Sequence, residues 1–185
     1  MFRLLDRTLL PAIDRISYIL AVVAMVEIVA MVAVMLYEVL LRYGFNSPTL
    51  WSNDLVKYAN GTLFLLAAAW TLRKNQHVRI DFLAARLPVR LQHLINLLFY
   101  LALFLPLLWL LAGTSVGKAW KAWRTGELEQ ASAWEPLIWP FLTGIALGLI
   151  ALGLQSIAEA IRHAIGIVDP ARVYPPGASD EHTSV

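Results

Sequence analysis

The run at residues 16–41, ISYILAVVAMVEIVAMVAVMLYEVLL, restricts the possible folds more than any other stretch. It is 26 residues long and holds two charges, Glu27 and Glu38. At about 1.5 Å per residue such a helix reaches about 39 Å, enough to cross a hydrocarbon core of about 30 Å with some tilt. A helix that is apolar on all sides suits a bilayer, where only its acids need partners. Glu27 and Glu38 stand eleven positions apart, so about 20° apart around the helix axis, and Met31, Val34 and Arg42 fall near the same line. Glu38 and Arg42 are also an i, i+4 pair with the acid on the N-terminal side, the better order. The run therefore predicts a transmembrane helix with one polar-tolerant stripe. Glu27 lies too far from either end to snorkel, so a partner must receive it.

Three further apolar stretches, at about 50–72, 91–116 and 136–158, complete a four-span, all-α integral membrane protein. With 185 residues, 59% hydrophobic and 15% charged, the chain reads as one four-helix domain over 1–168. The Pro-, Gly- and Ser-containing tail at 169–185 is expected to be disordered. A net charge of +2 does not indicate a nucleic-acid partner, because the basic residues flank apolar spans and form no separate patch. There are no cysteines, which removes disulfides and thiolate chemistry. Arginines precede the first run, as in a signal peptide, but the run far exceeds an h-region of about 7–15 residues and is expected to stay as an anchor.

The second span reaches a crossing length only if it extends back to Leu50 and takes in Asp54 and Lys57. That places Lys57 at roughly the depth of Glu38 and predicts a Glu38–Lys57 contact that Arg42 could share, a bridge within the subunit rather than a transport element. Pro106 is expected to kink the third span. In the fourth, GIALG spaces Gly144 and Gly148 for close approach by another helix, and Gln155, Glu159 and His163 follow on one face. Short amphipathic helices are expected in the membrane interface. One lies within 1–15, re-aimed at Pro11 unless that stretch is only a polar lead-in. A second lies in the 73–90 loop, and a third around Trp120 and Trp123 with Lys118, Lys121 and Arg124. Trp51, Trp120, Trp123 and Trp134 read as interface anchors.

Four spans put both termini on one side. Arg3, Arg7, Arg15, Arg73, Lys74, Arg79, Arg86 and Arg90 share that side, against Arg42, Lys57, Lys118, Lys121 and Arg124 opposite. The positive-inside rule then predicts cytoplasmic N- and C-termini.

The chain carries no Gly-rich phosphate loop, HExxH or GxSxG, and no ligand cluster at metal spacing, so neither an enzyme nor a cofactor or metal site is expected. His77, His93 and His163 lie near the cytoplasmic ends of spans and raise one alternative, a haem- or quinone-associated anchor of a respiratory enzyme. None lies well inside a span, and interfacial histidines account for them more simply. A stand-alone small transporter is another alternative, although no internal repeat or pair of broken helices marks a substrate site.

Two segments carry a resemblance: RYGFNSPTLWSNDL at 42–55, and RKNQHVRIDFLAARLP at 73–88 with His77, Arg79 and Asp81. At this separation they resemble the small membrane subunit of tripartite ATP-independent periplasmic (TRAP) transporters, over about residues 15–165. The acidic pair of that family beside the tryptophan stands here as Asn53–Asp54. The resemblance implies a non-enzymatic scaffold in a bacterial inner membrane. Its expected partners are a large membrane subunit with the substrate and sodium sites, and a periplasmic binding protein that delivers an organic acid. On this reading the Glu27–Glu38 stripe or the Gly144–Gly148 face meets the large subunit. Trp120, Trp123, Trp134 and the 43–53 loop lie on the periplasmic side.

Overall fold

The computed structural model describes residues 9–74 and 88–168. Its helices are α1 (Leu10–Val39), α2 (Ser52–Arg73), α3 (Val89–Phe99), α4 (Leu105–Thr125) and α5 (Trp139–Val168). Two π-helical turns interrupt the series: Leu40–Gly44 closes α1, and Tyr100–Phe104 joins α3 to α4. Among the described residues four stretches are long and apolar enough to cross a membrane: Leu10–Gly44, Ser52–Arg73, Leu91–Thr125 and Trp139–Val168, here spans one to four. The only β pairing among the described residues is an isolated bridge, Leu128 with Leu137, in the loop before span four.

The spans exceed the apolar runs at two places. Span one begins at Leu10, and Pro11 sits in its first turn, where a missing N–H costs nothing. Pro11 therefore starts the helix instead of re-aiming it, and residues 10–15 are not a separate interfacial helix. Span three likewise runs on through Trp120 and Trp123 to Thr125, so the expected interfacial helix there is the end of a transmembrane one. Gly126 stops it in the left-handed conformation (φ 62°), a backbone shape that suits glycine.

Span four is central. α5 packs against α1, α2, α3 and α4, whereas α1 packs mainly on α2. The composition explains this: without a hydrophobic drive between helices in lipid, close contact depends on small side chains. Ala146, Gly148, Ala151, Ala158 and Ala160 are all buried on α5. A Cβ added at Gly148 would come within 2.6 Å of Leu65 Cβ and 2.8 Å of its backbone carbon on α2, and one at Gly144 would strike the Thr62 methyl. The GIALG spacing thus seats span four on span two of the same chain. Around this contact Leu72, Tyr100, Leu108, Leu149, Leu152 and Ala160 form the apolar core.

Pro106 does disturb span three. In a regular α-helix its ring would meet the carbonyl four residues back. The turn before it widens instead, and the Leu105 N–H donates to the Tyr100 carbonyl five residues back.

Candidate functional site

One end of the bundle gathers the start of α1 and the ends of α2 and α5; the other carries the loops at 45–51 and 126–138. Gln155, Glu159 and Arg162 occupy one face of α5 at the first of these ends, and Asp14 on α1 faces them. Arg162 holds both Asp14 oxygens, Nη2 at 2.9 Å from Oδ1 and 2.7 Å from Oδ2, and its Nη1 pairs with Glu159. Arg73 at the end of α2 reaches Asp14 Oδ2 at 2.9 Å. Gln155 links the remaining groups: its Nε2 donates to Asp14 Oδ1 at 3.1 Å and Glu159 Oε1 at 3.2 Å, while its Oε1 accepts from Ser17 Oγ at 2.8 Å. Gln155 is wholly buried. One connected network thus ties spans one, two and four, in keeping with the rule that buried polar groups must be satisfied together.

Beside it, His93 on α3 and His163 on α5 are buried with Nδ1 atoms 2.9 Å apart. One ring donates and the other accepts. Gly166 makes the room: a Cβ there would lie 2.7 Å from the His93 ring. Tyr100 stacks on His163 at 5.7 Å. The structure therefore brings together two of the three histidines considered for haem. Bonded to each other at this separation, they leave no room for an iron between them, since metal–imidazole bonds are about 2 Å each. His77 lies outside the described residues, as do Arg79 and Asp81, residues 1–8 of the expected N-terminal helix, most of the 73–90 loop and the 169–185 tail.

At the loop end, Glu38 is buried and fully engaged. Arg42 donates to its Oε1 from Nε at 3.0 Å and Nη2 at 2.6 Å, and Thr49 donates to Oε2 from its backbone N–H at 3.0 Å and from its hydroxyl. The expected Glu38–Lys57 contact does not form. Lys57 instead reaches Asp54 Oδ1 at 3.2 Å, one turn back on its own helix, with most of its side chain in the open. Thr49 takes the place foreseen for it because the 45–51 turn folds back over the end of span one. Asp54 also accepts from Ser132, which fastens the 126–138 loop to span two. Trp51 stacks on Tyr37 at 6.1 Å, and Trp120, Trp123 and Trp134 lie exposed at this same end.

Glu27 is placed differently. It is the central residue of span one, seventeen positions from Leu10 and seventeen from Gly44. Among the described residues its hydrogen-bond donor is the Thr62 hydroxyl, at 3.2 and 3.3 Å from its two oxygens. That hydroxyl also lies 3.1 Å from the Tyr58 carbonyl and 3.0 Å from that of Ala59, so one proton serves several acceptors. The carboxylate lines a groove of about 360 Å³ between spans one and two and the start of span four. Of the predicted residues, then, Glu38 and Arg42 meet each other, Glu27 opens outward, and Gly144 and Gly148 are spent inside the chain. The sequence pattern shows half of the buried network, Gln155 and Glu159 on one face, and gives no local signal for Asp14, Ser17 and Arg162, which complete it.

Residues 31–166 match the family model described as "Tripartite ATP-independent periplasmic transporters, DctQ component". Over 76 residues the chain is also 30% identical to the sialic acid TRAP transporter permease protein SiaT of Haemophilus influenzae. That match takes in 41% of this chain and 12% of the length of that relative. No solved structure matches. The matched region runs from the middle of span one almost to the end of span four and contains every contact between spans two and four described above, so the chain belongs to the DctQ component family of TRAP transporters.

Proposed function

We propose that this chain is the small, non-catalytic scaffold subunit of an ion-coupled secondary TRAP transporter in a bacterial inner membrane. It works with a large permease subunit that carries the solute and sodium sites and a periplasmic binding protein that delivers an organic acid. Sialic acid, named for the SiaT relative, belongs to that solute class. The observation that carries the reading is how the chain spends its membrane charges. Asp14, Arg73, Glu159 and Arg162 bind one another across three spans, and Glu38 and Asp54 fasten loops. Charges locked into such pairs brace a bundle; they do not line a path that must bind and release a solute.

Residues 1–168 act as one unit in this reading. The end holding Asp14 and Arg73 is cytoplasmic, as the basic residues of 1–15 and 73–90 favour. Trp120, Trp123, Trp134 and the 43–53 loop then face the periplasm, where the binding protein docks. The test is a pull-down from detergent-solubilised native membranes with a tag after Val185. The expected result is a large permease subunit recovered in near-stoichiometric amount. Recovery of the chain alone, together with a haem absorption band or solute uptake in vesicles without a partner, would overturn the proposal.

A further inference from the structure

Among the described residues, Glu27 stands out from the other acids of the spans. Asp14 and Glu38 each hold an arginine and further donors, Glu159 holds Arg162, and Asp54 holds a lysine and a serine. Glu27 has a share of one threonine proton. Its place at the centre of a 35-residue helix puts it near the middle of a hydrocarbon core of about 30 Å, so about 15 Å from either headgroup layer and farther than its side chain reaches. The groove beside it is otherwise apolar apart from Thr62 and Tyr58, with Met31, Val34, Leu55, Ala59 and Phe141 among its walls. Its floor is rigid: Phe141 stacks on Tyr58 at 4.7 Å and presses on Gly61, where a Cβ would lie 2.7 Å from the ring.

We infer that this groove is the socket in which the chain receives a basic side chain, Lys or Arg, from a transmembrane helix of the large subunit. The shape suits a long aliphatic stem lying against Met31, Val34 and Leu55 with its cationic head on Glu27. Charge complementarity selects that occupant, because a lone carboxylate at mid-membrane is costly until a cation joins it. The contact places spans one and two, and not the outer face of span three, against the partner. It rests on the scaffold reading above and names the chemistry of its interface.

The experiment co-expresses the tagged chain with its large subunit and compares wild type, Glu27→Gln, Glu27→Asp and Glu27→Lys. Recovery of the large subunit is read after detergent extraction, and the melting temperature of each small subunit is read alone. Glu27→Gln keeps the shape and the Thr62 contact, so its melting temperature is expected to hold while recovery falls about tenfold. Glu27→Lys should abolish recovery, and second-site variants that restore it should convert a membrane-embedded Lys or Arg of the large subunit to an acid. Should Glu27→Lys fail to fold alone, Glu27→Gln decides. Wild-type recovery with Glu27→Gln would overturn the inference while leaving the scaffold reading intact, as would restoring variants that touch no basic residue. Failure of the wild-type chain to recover a large subunit at all would overturn the scaffold reading itself.

Discussion

Spans one and four are both built on 30-residue α-helices with strongly apolar sequences, yet they occupy opposite roles. In the most apolar part of span four 44% of residues are buried within the chain, against 11% in span one. Hydrophobicity does not explain the difference, since span one is the more apolar of the two and the less buried. Span one is rich in Val, Ile and Met, and Val29 and Val26 stand well exposed. Span four substitutes Gly and Ala along the faces that touch its neighbours. In a bilayer an apolar side chain gains little by leaving lipid, so the central helix is the one whose neighbours can come closest. Large side chains then mark the helix left facing outward, to lipid or to another subunit.

The comparison can be broken most severely at the charged end of span four. Arg162→Ala would leave Asp14 and Glu159 without the cation they share, and is expected to cost about 3–5 kcal/mol. Thermal unfolding of the detergent-purified chain, followed by tryptophan fluorescence, would show it; an unchanged transition would mean that Arg73 suffices. Next comes Gly148→Leu, which drives a side chain into the Leu65 backbone and should cost about 1–3 kcal/mol. Here the readout is the rate at which cysteines placed on α2 and α5 cross-link, expected to slow as the helices part. Ser17→Ala removes one donor from Gln155, with an expected loss of about 1 kcal/mol. A double-mutant cycle with Gln155→Leu would isolate that bond, and strict additivity would disprove it. On span one, Val29→Leu changes an outward side chain and should alter the stability of the isolated chain by no more than about 0.5 kcal/mol. A larger effect would mean that span one is packed more tightly than the bundle shows.

The spans themselves were legible because crossing a bilayer demands long apolar runs, and no other signal imitates them. So was the Glu38–Arg42 pair, since i, i+4 neighbours share a helix face whatever the fold. GIALG correctly announced a close helix contact but could not name the neighbour, and the neighbour is span two of the same chain. The errors have common physical origins. Depth alone pairs Lys57 with Glu38, while the competing acid, Asp54, sits one turn away on the same helix. The apolar run starts only at residue 16, yet the helix begins at Leu10 and carries on through Asp14 and Arg15. Arg162, 148 positions away, neutralises Asp14, and no local pattern encodes that partner. Trp120 and Trp123 carry an interfacial signal that is silent about whether the helix has stopped, and span three runs through both to Thr125.

The π turn at Tyr100–Phe104 has a consequence for how span three is counted. Tyr100 and Leu108 both belong to the core, but eight residues of regular α-helix would leave them about 80° apart around the axis. A π turn advances about 80° per residue instead of about 100°, so five such residues take back about 100° and bring Leu108 to within about 20° of Tyr100. In rotational terms the turn is a single inserted residue absorbed without moving the face that meets α5. Pro106 keeps it absorbed, because tightening the turn would press its ring against the carbonyl four positions back. Span three therefore runs in two phases, and a numbering that slips by one position beyond Phe104 still describes the same contact with span four.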